Sequence, residues 1–208
     1  KSCGAHRRDD WFTADDSSIR IGLKQVKGME KTFLDSITSA RKERSFSSVQ
    51  DFVYRTSVNK DVAENLILGG AFDWFSPNRR ALLWNLPKLY QNKQGSLFLE
   101  TPTLDTMADF PPCDRWVKEY AVLSLTAQGH IMEFYRPRLP KGVLTSKVSS
   151  YCKESTLLTV GGLVIRPHRP PTRSGKTVVF LTLEDEYGLI DVTIFEDIYK
   201  KYARTIFN

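Results

Sequence analysis

Cysteine is scarce in this chain. Cys3, Cys113 and Cys152 are odd in number and far apart, which suits reduced thiols in a cytoplasmic compartment better than a disulfide framework. No apolar run approaches the ~18 residues of a membrane-spanning helix, and no secretory signal is recognisable; the expectation is a cytoplasmic protein. Acids are the minority charge, 24 Asp and Glu against 30 Lys and Arg, for a net charge of +6. That excess is moderate, so where the cations cluster says more than their total.

Catalytic constellations are missing too. Two-metal chemistry needs carboxylates gathered on a stable platform. Here Asp9-Asp10 and Asp15-Asp16 lie in a polar leader, and Glu184-Asp185-Glu186 reads as a solvated hairpin turn closing at Gly188. Cys3 and His6 have ligand-like spacing without a second half-site, so no metal site is expected. No Ser-His-Asp or Cys-His arrangement can be assembled. The chain is read as noncatalytic, with no cofactor.

What is present is a folded chain of 208 residues, 41% hydrophobic, long enough for one large or two small domains. Its most telling stretch is TVGGLVIRPHRPPTRSGKTVVFLTLEDEYGLIDVTIF, from Thr159 to Phe195. Arg166, His168, Arg169, Arg173 and Lys176 fall within eleven residues free of Asp and Glu. Pro167, Pro170 and Pro171 restrict the backbone there, so the cations project into solvent and suit a polyanion. The flanking segments have strand character. Period-two alternation puts Val179, Leu181 and Leu183 on one face of the second strand and Ile190, Val192 and Ile194 on the core face of the third. Phe180 and Phe195 fall on otherwise polar faces, where each ring either stacks on a base or packs under a neighbouring element. The layout resembles the first half of an OB-type barrel, whose usual cargo is single-stranded nucleic acid.

Upstream, the residues up to 18 form a polar leader, either an edge strand or a loosely tied end, and look like a cut end. From Ile19 an apolar stretch (Ile21, Leu23, Val26) runs into a bend at Lys27-Gly28-Met29, then a helix with Phe33, Leu34, Ile37 and Ala40 at helical spacing. This is similar to a helix-hairpin-helix element. Gly28 would let backbone N–H groups approach a phosphate oxygen, with Lys24, Lys27, Met29 and Lys31 around the contact. The common pattern has a second glycine where this chain has Glu30; a turn glycine in a purely structural helix pair is the other reading. A second helical group follows. Ser47 with Gln50 fits a capping box, Asn59 caps a helix from Lys60 to Leu68 ending at Gly69-Gly70, and Pro77 starts a helix that Pro87 should kink or end. Ala63, Leu66, Ile67, Ala71, Phe72, Leu82 and Trp84 are its expected core; Arg79 and Arg80 either reach DNA or, the favoured reading, lie on a solvated face.

Residues 91–115 read as a linker, rich in breakers of regular structure. Within it Gln94, Leu97 and Phe98 form a peptide resembling the Gln-x-x-Leu-Phe signal by which bacterial polymerases and repair proteins dock on the sliding clamp; chance or a contact within the chain is the alternative. Residues 116–155 read as a helical connector, with helices at Trp116–Leu123 and Ile131–Leu139 and a short one near Thr145–Tyr151. The fold class expected is therefore α+β: a helix-hairpin-helix domain over 19–90, linker, connector, and an OB-type barrel from 156 to 208 that stops after three of five strands.

In order and content these segments resemble the C-terminal part of bacterial C-family DNA polymerases, the polymerase III alpha subunit and its error-prone relatives. IRIGLKQVKGM, NLILGGAFDWF, NRRALLW, LSLTAQGHIMEFYRPRL and RPPTRSGKTVVFLTLEDEYGLIDVTIFEDIY carry the likeness. The resemblance implies that the hairpins hold duplex DNA, the barrel sits near single-stranded template, the internal peptide binds the clamp, and replisome or translesion subunits are partners. Two other readings stay open: a protein-interaction scaffold with little DNA contact, and an OB-type RNA-binding domain of a translation enzyme.

Overall fold

The computed structural model describes residues 13–15, 18–93, 107–127, 129–172 and 175–206. They form two compact units that divide between residues 128 and 129. The fold is α+β, a helical region followed by a three-stranded antiparallel sheet.

The first unit opens with a small hairpin, β1 (Thr13–Asp15) against β2 (Ser18–Arg20). A single 3-10 turn at Leu23–Gln25 leads through Gly28 to α1 (Lys31–Glu43). Leu34, Ile37 and Ala40 of α1 are buried, as their spacing requires. In α2 (Val49–Arg55) the cap lies one residue later than expected: Ser48, not Ser47, accepts from the Asp51 N–H, while the Asp51 carboxylate accepts from the Ser47 N–H at 3.0 Å. Ser48 is thus the cap, and the Asp51 carboxylate takes the N–H of the residue before it. Asn59 caps α3 (Lys60–Leu68) through the Val62 N–H, and Gly69-Gly70 follows. Phe46, Phe52 and Phe72 meet edge to face, with centroids 5.1 and 4.9 Å apart, at the centre of the core.

Helix α4 (Arg79–Lys93) departs from expectation in three ways. It begins two residues after Pro77, with Asn78 accepting from the Ala81 N–H. It also runs through Pro87 without ending. Pro87 removes one backbone donor, but the turns beyond it are tied down: the Tyr90 hydroxyl donates to Val58 O at 2.8 Å, and Lys93 Nζ donates to Val53 O and Thr56 O. Finally, Trp84 is not core: it is 68% exposed, while Leu82, Asn85 and Leu86 turn inward. Helix α5 (Pro112–Leu123) packs in the same unit, and Leu123 belongs to its core.

In the second unit a short helix α6 (Met132–Tyr135) passes into a 3-10 turn at Arg136–Arg138, and α7 (Ser146–Ser149) is capped by Thr145. The sheet has the order β3 (Leu163–His168), β4 (Val179–Asp185), β5 (Gly188–Ile194), each pair antiparallel. Val179 and Leu181 are buried, and β5 alternates residue by residue between half-buried and exposed. The chain then enters α8 (Glu196–Ile206). Among the described residues no helix is long and apolar enough to cross a membrane.

Candidate nucleic-acid interface

The register of the sheet brings His168 and Phe180 together at one end of one face. His168 pairs with Phe180 across β3 and β4, Phe180 pairs with Thr193, and Thr182 pairs with Asp191. Cross-strand partners share a face, so His168, Phe180 and Thr193 form a row, with Phe195 two residues further along β5's alternation. The His168 ring stacks on Phe180 with centroids 5.5 Å apart and 24° between planes. Phe180 is 37% exposed and Phe195 66%. The two strands slip register between Ile165 and His168, and Arg166 occupies the bulge with φ of +48°. Such a bulge re-aims the side chains that follow it.

The basic loop leaves the sheet at this same end. The Arg169 guanidinium donates to the Tyr199 hydroxyl of α8 at 3.1 Å and lies 5.9 Å from the centre of that ring. Gly175 N–H donates to Thr172 O, and the Thr172 hydroxyl donates to Lys176 O, which closes the loop on itself. Arg169, Pro170, Thr172 and Lys176 line a shallow hollow of about 390 Å³. Arg166, His168, Arg169 and Lys176 are all exposed. Arg173 lies outside the described residues.

In the first unit Lys24, Lys27, Gly28 and Lys31 are exposed, and Met29 is half-buried. Gly28 has φ of +79°, a backbone conformation that a side chain would strain, and an added Cβ would touch Val62. Both backbone polar groups of Lys27 are committed: its N–H donates to Val122 O at 2.8 Å, and its carbonyl accepts from Asn65 Nδ2 at 2.9 Å. Gln25 Nε2 adds a bond to Leu123 O. The turn is therefore pinned to α3 and α5, with the lysine side chains directed outward around the start of α1. Glu30, the N-cap residue of α1, makes no side-chain cap there. Gln94, Leu97 and Phe98 lie outside the described residues. Among the described residues no group of His, Cys, Asp and Glu is arranged to hold a metal ion.

Two buried polar networks correct the sequence reading. Arg79 does not lie on a solvated face; it is 2% exposed. It pairs with Asp73 at 2.7 Å and with Glu119 at 3.0 Å, and donates to Leu68 O. Burial works against its charge, but the two carboxylates outweigh this and raise its pKa. Gly70, at φ +77°, leaves the space that this guanidinium fills. Likewise Asp185 is not part of a solvated turn. It is buried and accepts from Ser146 N–H and Oγ, both at 2.6 Å, and from the N–H groups of Tyr187 and Gly188. Arg136 grips Glu186 through Nε and Nη2 at 2.7 and 2.8 Å and approaches Asp185 at 3.3 Å. Burial pushes the Asp185 carboxyl up, yet the bonds from Ser146, Tyr187 and Gly188 hold it below its ordinary value. The turn does close at Gly188. Sequence reasoning also missed Tyr199, since nothing local in α8 signals a partner thirty residues upstream.

A family model described as a helix-hairpin-helix motif matches residues 7–82. Over 94% of its length the chain is 40% identical to an error-prone DNA polymerase of Symbiobacterium thermophilum, covering 21% of that protein. It is 30% identical to an error-prone DNA polymerase of Bdellovibrio bacteriovorus, over 94% of this chain and 20% of that one. Against the DNA polymerase III subunit alpha of Bacillus subtilis the identity is 27%, over 92% of this chain and 19% of the relative. The chain spans about a fifth of the length of the curated relatives it matches.

Proposed function

We propose that this chain, a region of a bacterial C-family DNA polymerase, is a noncatalytic DNA-holding module of a cytoplasmic replication or translesion enzyme. The single observation that carries this reading is the joint one of kinship and placement: relatives that are DNA polymerases align along nearly the whole chain, and both of its units present exposed cations, around the Gly28 turn in the first and along the basic loop in the second. In the first unit Lys24, Lys27 and Lys31 surround the Gly28 turn, where phosphate oxygens of a duplex would meet the start of α1 and the lysine ammonium groups. In the second unit the sheet is read as part of an OB-type barrel. A single strand would lay its bases on Phe180 and Phe195 and its phosphates along Arg166, Arg169, Arg173 and Lys176, with no sequence readout. Gln94, Leu97 and Phe98 are the proposed sliding-clamp peptide, by their order in the chain and their likeness to such peptides.

The test is a fluorescence anisotropy titration with single-stranded and duplex DNA across a salt series. Binding should weaken with salt, and joint neutralisation of Arg166, Arg169, Arg173 and Lys176 should lower the single-strand salt slope by about 0.7 for each phosphate left without its cation. Affinity that ignores salt, or survives the neutralised variant intact, overturns the proposal for the sheet. For the clamp peptide, co-elution with the sliding clamp should disappear on joint Leu97→Ala and Phe98→Ala substitution; unchanged co-elution excludes that docking role.

A further inference from the structure

Helix α4 carries a surface that the reading above does not use. Between Arg79 and Lys93 there is no acidic residue. Arg79 is buried, but Arg80, Trp84 and Lys88 are exposed at four-residue steps, and residues so spaced share one helix face. The indole is 68% exposed, so its apolar area is left in water between two cations. Arg80 is shared with a second ring: its guanidinium lies 6.0 Å from the centre of Phe110, and Lys118 Nζ approaches the same ring at 4.8 Å. The nearby carboxylate of Asp109 is already occupied, accepting from the Arg80 backbone N–H and pairing with Arg115 at 3.3 Å. The patch therefore alternates cation and aromatic ring, Lys88, Trp84, Arg80, Phe110, Lys118.

We infer that this face of α4 is a second binding site for single-stranded nucleic acid, with Trp84 as its stacking platform and Arg80 and Lys88 as its phosphate contacts. The choice of occupant follows from charge and shape. A polyanion satisfies the cations that flank the ring, and an unpaired base offers a flat apolar face to an indole, whereas the bases of an intact duplex are not accessible for stacking. Arg80 and Lys88 are separated by eight helical residues, roughly 12 Å along the axis. A strand running along this face of the helix could therefore engage both through phosphates separated by more than one nucleotide, while an intervening base rests on Trp84. An acidic protein surface would pair with the cations but leave the ring without a partner of matching shape. The inference extends the DNA-holding reading to a face of the first unit that neither the Gly28 turn nor the sheet includes.

The experiment uses the full chain and a short oligothymidylate, with and without 5-bromodeoxyuridine for photocrosslinking. It is run in the natural sequence and in the variant neutralised at Arg166, Arg169, Arg173 and Lys176. Trp84→Ala should weaken binding about fivefold or more in both backgrounds, and Trp84→Phe should retain most of the affinity. Joint Arg80→Gln and Lys88→Gln should reduce the salt slope, and the photocrosslink should map to Trp84. Because Trp84 and Lys88 are exposed, thermal melting should not change with their substitution, which distinguishes weaker binding from impaired folding. If oligothymidylate binds the natural chain but Trp84→Ala leaves affinity unchanged and no crosslink forms at Trp84, the inference fails while the sheet reading stands. Loss of duplex binding alone also overturns it. Trp84-dependent binding that persists in the neutralised background supports it even where the sheet proposal fails, and a chain that binds no oligothymidylate at all overturns both.

Discussion

A single carboxylate shows how much of the second unit depends on one residue. Asp185 Oδ1 accepts from Ser146 Oγ and from the Tyr187 and Gly188 N–H groups, while Oδ2 accepts from Ser146 N–H and faces Arg136. Every neighbour is a donor, so an amide at this position would turn its own N–H₂ group against donors. Asp185→Asn should therefore cost about 3 kcal/mol of stability at neutral pH, measured by urea unfolding and localised by hydrogen exchange in β4 and β5. The pH dependence follows from the direction of the pKa. Because the folded carboxyl titrates below its ordinary value of 3.8, its contribution is complete above that value and is lost as pH falls through the lower, folded pKa. Glu186 adds to the same window: its hydrogen bond from Arg136 outweighs burial and lowers its pKa as well. The acid-induced destabilisation should be smaller in Asp185→Asn. A variant as stable as the natural chain, with the same acid profile, would show that the network contributes nothing net.

At the scale of elements, the grouping of β3, the basic loop, β4 and α8 is what turns separate residues into a surface. Tyr199 is the link between helix and loop. Tyr199→Phe keeps the ring beside Arg169 but removes the hydrogen bond, so single-strand affinity should drop roughly two- to tenfold, while duplex affinity stays the same. Equal single-strand affinity in an anisotropy titration would mean that the loop does not need this tether. Strand faces and the buried side of α1 were legible in the sequence because alternation and helical spacing are local properties, readable within a few residues. Asn59 as a cap was legible for the same reason. Ser146 as a partner of Asp185 and Glu119 as a partner of Arg79 were not, since each lies about forty residues away in the chain and no short pattern records such a pairing. Trp84 is a different case. Counting from buried Leu82 at about 100° per residue, inward positions recur at 85, 86 and 89, and position 84 falls on the far side; general hydrophobicity masked a periodicity that was present. Pro87 misled because local propensity was outweighed by the bonds of Tyr90 and Lys93 to the turns they pack against.

Across the whole molecule, the +6 charge is distributed in both units, and the relatives align across both. Within the first unit, the residues after position 106 are woven back into those before position 94. Asn78 Nδ2 donates to Met107 O, Arg79 pairs with Glu119, Gln25 and Lys27 bond to the last turn of α5, and Leu123 fills the core beside α3. Cohesion there comes from packing and hydrogen bonds, not from chain continuity. A protease site introduced between Lys93 and Met107 should therefore give, after cleavage, two polypeptides that co-migrate in gel filtration and separate only in denaturant. Arg79→Met should let them part under native conditions; fragments that separate without denaturant even with Arg79 present would contradict this. The buried Arg79 bridge thus makes the helical unit divisible into two complementary pieces of unequal length, so that it could be reassembled from two separately expressed peptides.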